Sequence, residues 1–253
     1  MLLAIDQGNS DVVFGLHDGA EWIVEWRTPT SDKNASYYEA IMRQWMLDAN
    51  LKSSDIEGIV LSSVVPQNKD ILAEFVANLF RSPTVILGPE AFEKLSLKLH
   101  RPHEIGSDLV ANAMAAIDLF PDQPAMVVDF GTALTVTSVN NNEILGVSIA
   151  PGLGTAVKAL FKHTAQLPEV PLELPDSVLG QNTIHAIQSG VLHGYIGLVR
   201  NLILETKKEI GDNAKVVATG GLSSILKPLH DDFDLVDRKL TLNGLRVIYN
   251  KLN

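Results

Sequence analysis

The stretch LLAIDQGNSDVVFGL, residues 2–16, gives the clearest indication of the architecture of this chain. Its two apolar runs are typical of strands, and a turn-forming cluster that begins at Asp6 separates them. Asp18-Gly19 then predicts a tight turn into a third strand around residues 22–27. The chain therefore opens on a predicted antiparallel meander of three strands, with Asp6 at the end of the first strand.

The same pattern returns in the second half of the chain. The run MVVDFGT, residues 126–132, is again apolar up to an aspartate, Asp129, and two further strand-like runs follow it. Asp6 and Asp129 are therefore equivalent points in two similar meanders. A repeat of this size indicates an internal duplication.

Strand-like and helix-like segments alternate along the rest of the chain, which is typical of an α/β fold. We expect helices over residues 37–49, 66–80, 107–120, 182–208 and 241–252, from about Gly154, and between Gly221 and Leu229. The segment at residues 121–124, PDQP, is the most linker-like in composition. We therefore predict two lobes, residues 1–120 and residues 121–253.

Composition limits the class of function. The chain has 253 residues, of which 46% are hydrophobic and 20% charged, so it can bury a core and is not disordered. Its net charge of −10 argues against a nucleic-acid or anionic-membrane surface. The absence of cysteine excludes disulfides and thiolate metal sites. Because the start MLLAIDQGNS lacks the pattern of a signal peptide, we expect a cytoplasmic protein.

The Asp-x-Gly loops at Asp6 and Asp129 are candidates for phosphate binding. Glycine lets the backbone approach a ligand, the neighbouring N–H groups can face phosphate oxygens, and the carboxylate can hold a hydrated Mg²⁺. Such a loop on its own is also a common turn. Two loops at the ends of matching strands are predicted to face each other across a cleft, where two carboxylates need a cation.

Two glycine-containing turns each precede a predicted helix. They are PGLG at residues 151–154 and ATGGL at residues 218–222. Each is equally consistent with a nucleotide contact at a helix N-terminus and with an ordinary tight turn. Neither matches GxGxxG or GxxxxGK[ST], so Rossmann and P-loop sites are excluded.

Asp108 follows Gly106-Ser107 in the first turn of a predicted helix. An acidic residue there has a structural explanation, because the helix macrodipole favours negative charge at its N-terminus. The functional alternative is a general base that takes a proton from an alcohol.

With these motifs assembled, the chain resembles the type III pantothenate kinases of the acetate/sugar kinase, 70-kDa heat-shock and actin superfamily. The likeness runs nearly end to end, through IDQGNSDVVFGL, LSSVVP, RPHEIGSDLVANAMAA, VVDFGTALT and ATGGLSSIL. It implies an α/β fold of duplicated ribonuclease H-like (actin-like ATPase) lobes with a central nucleotide cleft.

The resemblance also assigns roles to residues. It implies that Asp108 is the catalytic base and that Asp6 faces Mg²⁺, while Asp129 is associated with a monovalent cation, K⁺ or NH₄⁺. The implied nucleotide-binding residues are Asp6, Gly8, Asn9, Ser10, Gly131, Thr132, Thr135, Gly220 and Gly221. The implied substrate-binding residues are Gly106, Ser107 and Thr183, the last acting across a homodimer interface.

The activity implied is ATP-dependent phosphorylation of pantothenate to 4′-phosphopantothenate, the first step of coenzyme A biosynthesis. Leu109 replaces the Arg of the family's Gly-Ala-Asp-Arg motif, and Leu99 and Leu134 replace a Tyr and a Thr. Two alternatives therefore stay open. One is a homologue that binds nucleotide without turnover, in a regulatory or scaffold role. The other is a kinase for a different small-molecule alcohol.

Overall fold

The computed structural model describes residues 1–162, 170–221 and 226–253. The chain divides into two compact units, one formed by Met1–Ala115 with Leu240–Asn253 and the other by Ala116–Lys239. Each unit contains a five-stranded sheet. Within the described ranges, no helix is both long and apolar enough to cross a membrane.

The first unit is built on a mixed sheet. Its strands are β1 (Leu2–Gln7), β2 (Asp11–His17), β3 (Trp22–Pro29), β4 (Gly58–Ser63) and β5 (Thr84–Ile86). Its helices are α1 (Ala35–Asp48), α2 (Pro66–Leu79), α3 (Pro89–Phe92) and the start of α4 (Ser107–Leu119). The strand order is β3-β2-β1-β4-β5. Strand β1 runs antiparallel to β2 and parallel to β4, so the predicted opening meander is confirmed.

Helix α1 shows how the sequence sets a helix in this unit. Asn34 caps it by accepting a hydrogen bond from the Tyr37 backbone N–H at 3.1 Å. Tyr38, Met42 and Met46 follow at intervals of four residues and are all buried. They join a core that includes Leu3 and Ile5 of β1 and several aromatic rings. The helix therefore forms because one face of it is apolar and its start is capped.

The second unit repeats the same topology. Its strands are β6 (Ala125–Phe130), β7 (Ala133–Asn140), β8 (Glu143–Pro151), β9 (Lys215–Thr219) and β10 (Leu235–Val236). Its helices are the end of α4, α5 (Leu153–Lys162) and α6 (Thr183–Ile210). Read from β8, the order is β8-β7-β6-β9-β10, which matches the first sheet strand for strand. The predicted duplication is therefore confirmed.

Helix α6 packs along the core of the second unit. It begins after Asn182, whose side chain accepts a hydrogen bond from the His185 N–H at 2.9 Å. Leu192, Tyr195 and Val199 are buried against alternate residues of β6. The helix predicted between Gly221 and Leu229 lies partly outside the described residues, and a 3₁₀ turn covers Lys227–Asp232.

The last helix, α7 (Leu240–Leu252), belongs to the first unit, whereas the predicted lobe 121–253 placed it in the second. It packs on β1 and β4. A Cβ added at Gly244 would collide with the backbone of Ala111 in α4, and the Tyr249 ring fills the space beside Gly58. The predicted boundary after residue 120 also differs, because the division falls inside α4. The amphipathic pattern of α7 predicts that one face of the helix is buried, but it does not predict which of the two sheets covers that face.

Candidate active site

The loop that follows β1 is held by the end of β3. Gly8 N–H donates to the Asp11 carbonyl at 2.9 Å, which closes the turn after Asp6. The Thr30 hydroxyl donates to the Gly8 carbonyl and the Thr30 N–H to the Ser10 carbonyl, both at 2.8 Å. Asn9 and Ser10 are exposed at the tip. The predicted phosphate loop is therefore an ordered turn with an exposed tip.

Asp108 is the second residue of α4 and is half-buried. Its Oδ1 accepts a hydrogen bond from the Leu109 N–H at 2.8 Å. A Cβ at Gly106 would lie 2.5 Å from that oxygen, so any other residue at this position would make the Asp108 carboxylate move. Burial raises the pKa of Asp108 above the usual aspartate value, and the hydrogen bond from Leu109 opposes that rise. A carboxylate with a raised pKa is a stronger proton acceptor.

A buried network that no sequence pattern revealed joins the start of α4 to the end of β4. The Ser107 hydroxyl lies 2.9 Å from the Ser62 hydroxyl and donates to the Ser63 carbonyl at 3.2 Å. The Ser63 hydroxyl donates to Gln7 Oε1 at 2.7 Å. The Ser107 side chain, predicted to bind substrate, is thus turned into the unit, which leaves its backbone for any substrate contact.

The second Asp-x-Gly loop, at Asp129, is braced by the turn after β8. Gly152 N–H donates to the Thr132 carbonyl at 3.2 Å, and the Thr155 hydroxyl donates to the same oxygen at 2.8 Å. A Cβ at Gly152 would collide with the carbonyls of Gly131 and Thr132. The PGLG turn therefore has a structural role, because it packs against this loop and donates a hydrogen bond to it.

The turn after β9 also meets Asp129. Gly220 has a φ of +89°, and a Cβ there would lie 2.6 Å from the Phe130 carbonyl oxygen and 2.8 Å from Asp129 Oδ1. Glycine is required on both grounds. Gly221 is exposed. The structure thus brings together Asp129, Gly131, Thr132 and Gly220, with Thr135 opposite Asp129 in the register of β6 and β7.

The two Asp loops share one further feature. In the parallel partner strand, Ser62 stands opposite Asp6 and Thr219 stands opposite Asp129. Both hydroxyl residues are buried. The sequence signal was a hydroxyl residue at the end of the strand that pairs in parallel with the Asp strand.

Neither Asp6 nor Asp129 belongs to a cluster of several metal-binding side chains among the described residues. In the part of the chain that the structure describes, no group of three or more His, Asp or Glu side chains could hold a metal ion. Mg²⁺ in kinases is usually held by one or two carboxylates together with water and substrate phosphates. One carboxylate beside a phosphate loop, as at Asp6, fits that chemistry. Asp129 Oδ1 and the Phe130 carbonyl oxygen both lie within 3 Å of the position that a Cβ would take at Gly220, and such a pair of oxygens fits a monovalent cation.

Thr183 lies far from these loops in sequence, whereas Leu134 and Leu109 adjoin them. Thr183 is the exposed first residue of α6 and lines an open groove with Gly180, Ala186 and Gly190. Leu134 is fully buried in the core of the second unit, so its replacement of a family Thr removes no side chain from the exposed loop. Leu109 is 9% exposed.

Comparison with known proteins gives the family. The family model for type III pantothenate kinase matches residues 2–205. The type III pantothenate kinase of Moorella thermoacetica is 39% identical over 99% of both chains, and that of a Geobacillus species is 37% identical over 99% of this chain and 98% of its own.

Solved structures give the fold alone, because identity is low. The (R)-2-hydroxyglutaryl-CoA dehydratase component A of Acidaminococcus fermentans matches with a TM-score of 0.56 at 14% identity, over 100% of this chain and 99% of its own. MreB 5 of Spiroplasma citri, bound to AMPPNP, also has a TM-score of 0.56, at 8% identity over 99% and 96% of the two chains. These likenesses agree with duplicated actin-like ATPase lobes. On the strength of the full-length sequence match, this chain belongs to the type III pantothenate kinase family.

Proposed function

We propose that this protein phosphorylates pantothenate with ATP, forming 4′-phosphopantothenate in the first step of coenzyme A biosynthesis. Family membership supports the reaction. The structural observation that supports this reaction is the environment of Asp108. Its carboxylate is half-buried at the start of α4 and has a raised pKa. A raised pKa suits a group that must take a proton from an alcohol.

The proposed mechanism is in-line phosphoryl transfer. Asp108 accepts the proton of the primary hydroxyl as the hydroxyl oxygen attacks the γ-phosphorus. The new O–P bond forms while the bond from the γ-phosphorus to the bridging oxygen breaks, and ADP leaves with that electron pair. The tips at Asn9-Ser10 and at Gly131-Thr132 are exposed, and the backbone N–H groups of such loops can face phosphate oxygens.

Cations and the dimer are part of the proposal. Asp6 would hold Mg²⁺ and Asp129 would hold K⁺ or NH₄⁺, and such cations neutralise charge on the phosphates. Thr183 would contact pantothenate across a homodimer interface, and Gly106 would lie beside it within the chain. The need for ATP supports a cytoplasmic location.

A coupled ADP-release assay tests the proposal. The purified protein is incubated with ATP, Mg²⁺, K⁺ and pantothenate, and then with a panel of other small alcohols. ADP release that requires pantothenate supports the proposed function. Release only with another alcohol would replace the acceptor, and release with none, despite measurable ATP binding, would indicate a binding-only homologue.

A further inference from the structure

We infer that Ser107 is a positioning residue for Asp108, held by a hydrogen-bonded chain that ends on β4. The inference rests on the proposed function, in which Asp108 is the base. Ser107 is 6% exposed and Ser62 is fully buried, so neither hydroxyl can rely on bulk water. Buried hydroxyls of this kind need protein partners.

The direction of each hydrogen bond follows from counting protons. Ser107 has one O–H, and it donates to the Ser63 carbonyl at 3.2 Å. The contact at 2.9 Å between the Ser62 and Ser107 hydroxyls must then have Ser62 as donor. The Ser107 oxygen therefore accepts one hydrogen bond and donates one, and both partners lie at the end of the same strand.

The network reaches from the catalytic helix to the phosphate loop. Ser62 pairs in register with Asp6 and Ser63 with Gln7. The Gln7 side chain is fully buried and accepts from the Ser63 hydroxyl at 2.7 Å. Since Gln7 lies between Asp6 and Gly8, the residues at the end of β4 contact both the phosphate loop and the start of α4.

This arrangement has a consequence for catalysis. A displacement of about 1 Å in a reacting group can cost on the order of a hundredfold in rate. Asp108 directly follows Ser107, and its own carboxylate contacts only local backbone among the hydrogen bonds observed. The two hydrogen bonds of Ser107 thus fix where the helix starts, and with it the position of the carboxylate that follows.

The test uses Ser107→Ala, Ser62→Ala and the double variant. We expect each single change to lower kcat about tenfold, with ATP affinity, measured by direct binding, unchanged. The double variant should lose no more than Ser107→Ala, because Ser107→Ala already breaks the contact that Ser62→Ala removes. The matched control is Ser82→Ala, which removes a hydroxyl that donates to the Ile56 carbonyl at the opposite end of β4 and should leave kcat unchanged.

A second measurement does not depend on turnover. The titration midpoint of the Asp108 carboxyl is followed by NMR in the parent protein, in Ser107→Ala and in Ser82→Ala. Loosening the start of α4 admits water, so the midpoint should fall toward the ordinary aspartate value in Ser107→Ala only.

The outcomes separate the two claims. An unchanged Asp108 midpoint in Ser107→Ala, or an unchanged kcat in an active protein, would overturn the positioning role even if the variant melts earlier. If the parent protein does not turn over pantothenate, the proposed function fails, and the Asp108 midpoint alone decides whether Ser107 positions it.

Discussion

At the scale of single residues, Asp108 carries its charge where burial opposes it. Because burial raises the pKa of Asp108, the base should lose activity on acidification at a pH above the usual aspartate value of about 3.9. We therefore expect kcat to fall along an acidic limb as Asp108 is protonated. The pH profile of kcat at saturating substrates measures this limb, and a flat profile down to about pH 4 would contradict it.

The same raised pKa makes a prediction about stability. A carboxyl whose folded-state pKa exceeds its unfolded value contributes stability below the unfolded pKa and loses it as pH rises through the folded pKa. The asparagine side chain of Asp108→Asn is uncharged at every pH, so the variant does not incur this loss of stability as the pH rises. Its advantage over the parent in free energy of unfolding should therefore grow from about pH 4 to about pH 7, as measured by urea denaturation. An advantage that shrinks over this range would contradict the raised pKa.

Leu109 and Leu99 stand where the family's motifs have an Arg and a Tyr, which we propose hold the acceptor in the family. Restoring the family residues, Leu109→Arg with Leu99→Tyr, should lower the KM for pantothenate by about ten- to a hundredfold, since a guanidinium–carboxylate contact is worth about 1.5–3 kcal/mol. Leu109 is 9% exposed, so thermal melting must show that the variant still folds. A folded variant with unchanged KM would indicate a pocket remodelled for another acceptor.

At the scale of elements, α7 and α4 are joined at a close approach of their backbones. A Cβ at Gly244 would collide with the Ala111 carbonyl, so Gly244→Ala must push α7 away from the helix that begins beside Asp108. We expect a loss of about 1–3 kcal/mol in free energy of unfolding, measured by urea denaturation.

The matched control lies on the same helix. Asn250 is exposed, and Asn250→Ala should change stability by only a few tenths of a kcal/mol, in the favourable direction. Equal effects of the two alanines would contradict the close approach.

The helices and strands also show which parts of the fold could be predicted from the sequence. The three strands of each meander were predicted to within about two residues, because each alternates or runs apolar up to a turn. Strand β10, of two residues, and α3, of four, carry no period that could reveal them. The lobe that receives α7 was not predictable, because amphipathicity does not name the partner surface.

Some residues of the candidate site could likewise be predicted from the sequence, and others could not. Asp6, Asp108 and Asp129 could be found because each ends a strand or begins a helix beside a glycine. The contacts from Ser62 to Ser107 and from Thr30 to Gly8 could not, because they join residues 45 and 22 positions apart. The pairing of β2 with β3 brings Thr30 to Gly8, and the start of α4 beside the end of β4 brings Ser107 to Ser62.

At the scale of the whole molecule, we predict a homodimer that buries the glycine face of α6. Among the described residues, apart from the helix's own nearby backbone, nothing lies within 4 Å of a Cβ added at Gly190, Gly194 or Gly197, and these glycines cost helix stability of about 1 kcal/mol each relative to Ala. Sedimentation velocity of the parent at about micromolar concentration should give a dimer mass. A monomer would contradict this assembly and the assigned role of Thr183.

A variant at Gly194 identifies the interface. Gly194→Leu adds a bulky side chain to the exposed face and should dissociate the dimer while each chain stays folded, as judged by circular dichroism. Asn250→Leu, an exposed change on α7, is the control and should remain dimeric. Dimers of equal stability in both variants would place the interface elsewhere.

The central claim, that Asp108 is the base of a pantothenate kinase, is tested most directly by turnover of Asp108→Asn. Asparagine keeps the size of the side chain and can still accept a hydrogen bond from the Leu109 N–H, but it is a poor proton acceptor. Pantothenate-dependent ADP release should fall by about 10²- to 10⁴-fold while ATP affinity stays nearly unchanged. Turnover close to that of the parent would show that Asp108 is not the base.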